Sequence, residues 1–164
     1  MANPRSTISV GGHPIHPMLV PFPIAFFVAA FVTDIVYWQT ATPGWATASI
    51  WLIGMGLIMA ALAAVAGLTD FLGDRMIRGM TDAWWHAGGN VVLVLIQLYS
   101  WYARYAHGAD AVVPTGLVLS LIAVCLLLFA GWKGGEMVYR HRVGVLDYPE
   151  QGQATGFDAP RRAA

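Results

Sequence analysis

The sequence has few charged residues. Asp, Glu, Lys and Arg make up 11% of its 164 residues, whereas a soluble domain carries about 25%. A chain with so little charge cannot cover a water-facing surface in the usual way, so its composition favours a membrane protein. The formal net charge of zero does not support nucleic acid as a partner, because nucleic-acid-binding proteins concentrate Lys and Arg.

Cysteine is almost absent. The single Cys125 lies in an apolar run, which excludes an intrachain disulfide and any Cys-based zinc or iron–sulfur site. The chain has no C-x-x-C-H motif, so covalent attachment of a c-type haem is excluded. No Ser-His-Asp pattern, phosphate loop or zinc-protease motif is present. We therefore do not expect a stand-alone hydrolase or transferase.

Long apolar segments are what the sequence has in excess. Four of them, residues 18–38, 45–69, 84–102 and 115–132, approach or exceed the length of about 20 residues that crosses a bilayer core. The first segment is too long for a signal-peptide core and lacks a compact basic start, so we expect it to be retained. Short connections make sequential helices antiparallel neighbours. The prediction is an all-α membrane protein, a four-helix antiparallel transmembrane bundle.

The basic residues predict the orientation of this bundle. The N-terminus, the middle loop and the C-terminal tail share one side, which holds eight of the nine Lys and Arg: Arg5, Arg75, Arg78, Lys133, Arg140, Arg142, Arg161 and Arg162. Arg104 falls on the other side. The positive-inside rule then places both termini in the cytoplasm of a bacterial inner membrane. We expect an interfacial segment over residues 1–17, a transmembrane domain over 18–146 and a mobile tail over 147–164.

Two histidines stand where the first apolar segment begins, in the stretch HPIHP. His13 and His16 are three residues apart and would face one way if this stretch is turn-like or helical. The neighbouring prolines stiffen the approach and keep the start of the first helix irregular. This pattern suits either a pair of metal or haem ligands or an interfacial segment whose histidines meet lipid headgroups.

The third apolar segment carries a polar stripe. At 100° per residue, five polar side chains lie close to one line along the helix; they are His86, Asn90, Gln97, Ser100 and Arg104. Lipid does not accept such a stripe, so it should point into the bundle. We expect His86, at the cytoplasmic end, to be a ligand and Asn90 to support it. Interhelical hydrogen bonding is the alternative role.

Acidic residues mark the ends of the other helices. Asp70 ends the second helix, where its charge opposes the helix dipole and needs a partner. Glu136 and Arg140 would pair if the fourth helix continues past its glycines. Asp34, near the outer end of the first helix, is expected to pair with Arg104.

The predicted topology therefore collects ligating groups at the cytoplasmic face. His13 or His16 should approach His86 there. His141, which follows the fourth helix, should join them, with Glu136 or Asp70 nearby.

Three stretches resemble one family: HPIHPMLVPFPIAFF, WWHAGGN and GWKGGEMVYRHRVGV. The chain is similar over about residues 10–146 to the bacterial transmembrane family called domain of unknown function 2231. The resemblance implies a small inner-membrane protein with four helices. Members also occur fused to redox domains such as Rieske or cytochrome c modules, which implies a link to electron transfer. The side chains carried over are His13, His16, His86, Asn90, Glu136 and His141.

Three functions fit these patterns. The first is a b-type haem protein that relays electrons to a redox partner, since helix bundles build haem sites from side chains on facing helices. The second is a non-haem copper, iron or zinc site, with His13, His16, His86 and His141 joined by Glu136 or Asp70. The third is a cofactor-free assembly subunit in the lipid bilayer. A homo-oligomer is compatible with each of them.

Overall fold

The computed structural model describes residues 3–145, which are mostly helical. Three stretches are long and apolar enough to cross a membrane, by length and composition: Ile15–Thr40, Pro43–Gly73 and Thr81–Tyr139. The predicted tail, residues 147–164, lies outside the described residues.

The first two stretches contain three helices. A short helix α1, Ile15–Leu19, leads into α2, Pro21–Thr40. The second stretch is one helix, α3, Pro43–Gly73. Pro21 and Pro43 stand at the helix starts, where a residue without an N–H and with a fixed φ is well accommodated. The predicted first segment, residues 18–38, lies inside the helical stretch Ile15–Thr40, which begins earlier than expected and is irregular at Val20, next to the prolines.

The third stretch contains two α-helices. A one-turn helix α4, Arg75–Arg78, precedes it. Helix α5 spans Thr81–His107 and α6 spans Leu117–Tyr139. A 3-10 turn, Gly108–Ala111, and an irregular turn, Val112–Gly116, connect them.

Helix α6 continues past the glycines that precede Glu136. The expected pair forms there, with 2.8 Å between Arg140 Nε and Glu136 Oε2. This i,i+4 contact supports the last turn of the helix. The helix therefore extends beyond residue 132, the end of the predicted apolar segment, as the pairing of Glu136 with Arg140 requires.

The helices pack as two neighbouring pairs. Helix α2 lies against α3 and α5 against α6, and the pairs meet through α2–α6 and α3–α5 contacts. Their shared core consists of Phe27, Ala30, Ile53, Leu93 and Ala123, all buried. A side chain at Gly56 of α3 would collide with the Phe27 ring. The small residue at this position therefore allows α2 and α3 to approach closely.

The outer faces are apolar. Trp51, Val65 and Leu128 are exposed on α3 and α6. Such side chains on every side of a soluble protein would be an aggregation hazard. On helices of this length they are what lipid contact requires.

An N-terminal strap, residues 3–14, covers one end of the helices. It includes a hairpin of two short antiparallel strands, β1, Ser9–Val10, and β2, His13–Pro14. Gly11 and Gly12 form the turn with φ of 57° and 81°. Positive φ at both positions is the geometry of a type I′ hairpin turn, which glycine adopts without strain.

Candidate functional site

The structure brings two of the predicted histidines together. His16 lies on α1 and His86 on α5, and their ring centroids are 6.0 Å apart with an interplanar angle of 88°. Both side chains are half-buried. Residues 70 positions apart in the sequence thus form one pair, as the predicted topology requires.

Each imidazole of this pair is tethered through one nitrogen. His16 Nδ1 lies 2.8 Å from the carbonyl oxygen of Ala63 on α3. His86 Nδ1 lies 2.8 Å from the carbonyl oxygen of Ala130 on α6. A carbonyl only accepts, so each Nδ1 carries the proton and donates it. In a neutral imidazole the other nitrogen, Nε2, then keeps its lone pair for a further partner.

Two glycines let the rings reach these carbonyls. A Cβ at Gly67 of α3 would lie 2.8 Å from the His16 ring. A Cβ at Gly134 of α6 would lie 3.1 Å from the His86 ring. Larger residues would push the imidazoles away from their helices, so the glycines shape the site by leaving space.

Asn90 lies one turn after His86 and contacts it twice. Its Nδ2 donates to the His86 carbonyl oxygen at 2.8 Å and lies 3.3 Å from His86 Nε2. This places Asn90 beside the ring nitrogen that the tether leaves for a ligand. Asn90 therefore stands in the supporting position expected for it, within reach of any group bound by His86.

The other two predicted histidines lie elsewhere. His13 is exposed on the hairpin, with its Nδ1 3.0 Å from the carbonyl oxygen of Gly11. His141 Nε2 lies 3.1 Å from Asp82 Oδ2. The other oxygen of Asp82 pairs with Lys133 Nζ at 2.9 Å, so His141 belongs to a charge cluster that joins the ends of α5 and α6.

Asp70 has the partner that its position at a helix end requires. Its Oδ1 accepts hydrogen bonds from Ser6 Oγ at 2.9 Å, from the backbone N–H of Thr7 at 2.6 Å and from that of Ile8 at 3.3 Å. These donors offset the unfavourable carboxylate at the C-terminus of α3. Asp70 thereby anchors the N-terminal strap.

The structure does not assemble the full predicted ligand set. Within residues 3–145 no group of three or more His, Cys, Asp or Glu is arranged to hold a metal ion. Of the predicted residues, the described part of the chain gathers His16, His86 and Asn90. Glu136, Asp70, His13 and His141 have the separate partners described above.

A second polar cluster lies around Arg104, toward the other end of α5. Arg104 and Asp34 of α2 are 2% and 0% exposed, with 2.5 Å between Nη1 and Oδ1 and 2.8 Å between Nη2 and Oδ2. This confirms the predicted pair. Ser49 of α3 and Ser120 of α6 donate to the two carboxylate oxygens at 2.5 Å and 2.6 Å.

Every N–H of this arginine has a partner. The Nε–H donates to Ser100 Oγ at 3.3 Å. The two Nη groups supply Asp34, Ser49 and Ser120. A guanidinium has five N–H donors, and all five are used. We name this group, Asp34, Ser49, Ser100, Arg104 and Ser120, the arginine cluster.

Two serines of the arginine cluster, Ser49 and Ser120, were missed by sequence reasoning, whereas Ser100 belongs to the predicted stripe. Ser49 and Ser120 stand alone in apolar helices, where a hydroxyl often bonds its own helix backbone. Their isolation in otherwise hydrophobic segments was a weak signal. Their common depth near Asp34 becomes visible when the helices are packed.

Gln97 completes the buried part of the stripe. It is 0% exposed, and neither atom of its side-chain amide has a hydrogen-bond partner within residues 3–145. Gln97, Ser100 and Arg104 are all buried, while His86 and Asn90 are half-buried. The prediction that the polar stripe points inward is confirmed.

Apolar helical stretches around a buried ion pair define this chain as a membrane protein. Within that class, its family is shown by a match over residues 12–147 to the family described as predicted membrane protein, DUF2231. The chain belongs to this family, and the resemblance found from its motifs is confirmed. No curated protein and no solved structure matches the chain.

Proposed function

We propose that the protein spans the bacterial inner membrane four times, through α2, α3, α5 and α6, with both termini in the cytoplasm. The eight-to-one distribution of Lys and Arg supports this orientation. The chain ends of the described region also meet, since the Gly144 N–H donates to Pro4 O at 2.9 Å and Asn3 Nδ2 to Val145 O at 3.0 Å. A C-terminal fusion to a reporter that works only in the cytoplasm should be active, and a fusion to one that works only in the periplasm should be inactive. The reverse result would overturn the orientation.

At its cytoplasmic end, the protein binds a b-type haem through His16 and His86 and relays electrons to a redox protein. The spacing of the two imidazoles carries this proposal. Two metal–nitrogen bonds of about 2 Å each, added to the ring radii, separate opposed ring centres by about 6 Å. The observed centroid distance of 6.0 Å leaves room for one metal ion between the rings when both Nε2 atoms face it.

The tethers of the two rings support the same proposal. A ligating histidine usually donates its other ring N–H to a carbonyl or carboxylate, which fixes the tautomer and the ring orientation. His16 and His86 both have such a partner, Ala63 O and Ala130 O. Each ring can therefore offer Nε2 while its Nδ1 bond stays in place, and at His86 a ligand would replace the contact of Nε2 with Asn90 Nδ2 at 3.3 Å.

The number of ligands favours haem. A protein zinc site takes four ligands, or three with an open position. The described residues provide a pair. Haem supplies most of the ligands of its iron itself and would need one or two side chains from the protein, here His16 and His86. When bound, it would supply one-electron chemistry, while His16 and His86 hold the iron and Asn90 orients His86.

Two other functions stay as candidates, each with an observation in its favour. A non-haem copper, iron or zinc ion would use the same Nε2 atoms, completed by a ligand from outside the pair. In a cofactor-free assembly subunit, the two rings would serve only to connect helices through hydrogen bonds. His16 joins α1 to α3, and His86 joins α5 to α6.

A visible spectrum and total metal analysis of the detergent-purified protein separate these functions. A Soret band that disappears in His16→Ala and His86→Ala, and persists in His13→Ala, is the expected result. The exposed His13 is the matched control, because it lies on the adjacent hairpin. Bound metal without a Soret band would overturn haem in favour of the second function. A protein that stays empty after haem and metal supplementation would leave the third.

A further inference from the structure

The N-terminal strap is bound to the end of α3 by two carboxylates. Asp70 accepts from three donors of residues 6–8. Asp74 Oδ2 accepts from the Arg5 backbone N–H at 3.0 Å, while its Oδ1 accepts from Met76 N–H at 2.7 Å and caps α4. Residues 5–8 thus lie along the last turn of α3, held by its acidic side chains.

The strap also packs against α3 through a glycine. A Cβ at Gly73 would lie 3.1 Å from Thr7 Cβ. Any side chain at residue 73 would therefore displace Thr7. The absence of a side chain at Gly73 lets the strap lie flat between Asp70 and Asp74.

The anchored segment continues directly into His16. The Ile15 N–H donates to Ile8 O at 3.1 Å, which joins the first residue of α1 to the last residue held by Asp70. The hairpin between them is closed by Ser9–Pro14 pairing. Helix α1 has five residues, and Val20, which is in the helical conformation with its N–H bonded to His16 O at 3.2 Å, joins it to α2. Ile15 is therefore the first residue of a longer helical stretch, at the point where the strap enters it.

His86 is held differently. It lies on α5, a helix of 27 residues, whose backbone position does not depend on the strap. The two members of the pair therefore differ in how they are positioned. His86 lies inside a long helix, whereas His16 lies in the first turn of its helical stretch, directly after the anchored segment.

We propose that Asp70 is a positioning residue for the cofactor site. Asp70, assisted by Asp74, holds the strap on α3 and so keeps His16 next to His86. This inference rests on the proposed function of the histidine pair. It assigns Asp70 a role through backbone N–H groups of the strap, in place of direct ligation. Release of the strap would free His16 and leave His86 where it is.

The first test measures the position of His16 without any cofactor. Carbethoxylation of individual histidines, followed by mass spectrometry, is compared in the wild-type protein, Asp70→Ala and Asp70→Asn. We expect the modification rate of His16 to rise several-fold in Asp70→Ala, while His86 is unchanged. Asp70→Asn keeps an acceptor oxygen and should lie near wild type. Asp110→Ala, an exposed acidic residue on the turn after α5, is the matched control.

These rates separate positioning from general damage. If Asp70→Ala exposes His86 as much as His16, Asp70 is a structural residue of the whole bundle and the proposal fails. If His16 reacts at the wild-type rate in Asp70→Ala, the strap does not position it and the proposal fails as well. Neither outcome depends on whether haem binds.

The second test restores the strap by a covalent bond. Thr7→Cys with Gly73→Cys, in a Cys125→Ser background, would place the two Cβ atoms 3.1 Å apart. A shift of the strap by about 0.5 Å then reaches the Cβ separation of about 3.5–4.5 Å that a disulfide needs. In Asp70→Ala we expect haem affinity to fall by about 10–100-fold, as for loss of other groups that orient a ligand. Oxidation of the engineered cysteine pair should restore the haem affinity and the absorption spectrum of the wild-type haem complex. Reduction of the disulfide should lower the affinity again.

The two proposals fail in distinguishable ways. A wild-type protein without haem overturns the haem function, while the carbethoxylation rates still decide whether Asp70 positions His16. A wild-type protein that binds haem, with Asp70→Ala unchanged in affinity and spectrum, overturns the positioning role and keeps the function. Loss of haem that the oxidised disulfide does not restore also overturns the positioning role.

Discussion

The two polar regions on α5 differ in how completely their hydrogen bonds are used. In the arginine cluster, all five N–H donors of Arg104 have partners, and both oxygens of Asp34 accept from a serine as well as from the guanidinium. In the histidine pair, each ring donates from Nδ1 to a carbonyl oxygen, and Nε2 stays an acceptor, which at His86 is 3.3 Å from the Asn90 amide nitrogen. The first region is closed to ligands, and the second has capacity for one.

This difference separates structural from functional polar groups inside a membrane. A buried charge in hydrocarbon is costly unless it is paired and fully hydrogen-bonded. The arginine cluster meets that requirement with side chains from α2, α3, α5 and α6, so it ties four helices together. An unprotonated imidazole carries no charge. Burial of its acceptor nitrogen therefore costs far less than burial of a charge, and the nitrogen can bind a ligand.

Removal of Arg104 should produce the largest effect on stability. Arg104→Met leaves Asp34 buried without a counter-charge, and breaking a buried pair in this way costs about 3–5 kcal/mol. The free energy of unfolding, measured with denaturing detergent in mixed micelles, should fall by that amount. The exposed Arg75 provides the control, Arg75→Met. If Arg104→Met lowers the free energy of unfolding no more than the control does, the arginine cluster does not hold the helices together.

A single serine of the cluster should matter less. Ser120→Ala removes one acceptor of Arg104 and one donor to Asp34. A buried polar group that loses its partner costs about 1–3 kcal/mol. The same unfolding measurement tests this, with Ser120→Thr as a variant that retains the hydroxyl. Equal stability of Ser120→Ala and wild type would contradict a fully used cluster.

His86→Ala should separate the two regions most clearly. We expect it to abolish the bound cofactor, while the loss of its bond to Ala130 O lowers stability by on the order of 1 kcal/mol. Cofactor content and unfolding free energy are measured on the same preparation. Arg104→Met is the converse variant, expected to lose stability first. Unchanged cofactor content in His86→Ala would remove His86 from the ligands.

Asn90→Ala should give the smallest change in stability. Its bonds are to the ring and carbonyl of His86, and an interhelical or side-chain bond in a membrane is worth about 0.6 kcal/mol on average. Affinity for the cofactor should nevertheless fall by about 10–100-fold, because Asn90 orients a ligand. A titration with haem measures this. An affinity equal to that of the wild type would show that Asn90 acts in packing alone.

The sequence alone determined the class of the protein and the inward direction of its polar stripe. Low charge, long apolar segments and the 100° spacing from His86 to Arg104 depend on composition and helix periodicity, which need no partner. It also predicted the pairs Asp34–Arg104 and Glu136–Arg140, because opposite charges in or near a membrane seek each other. Whether α6 continues past its glycines was left open by the sequence, since helix ends depend on their contacts.

The tertiary structure decided which of the candidate residues meet. His16 pairs with His86, His141 with Asp82, and Asp70 with the strap. The sequence does not rank its donors and acceptors, whereas packing decides which of them come into contact. Gly67 and Gly134 show the reason: the rings reach their carbonyls where the facing helix has no side chain, and that depends on how the helices fit together.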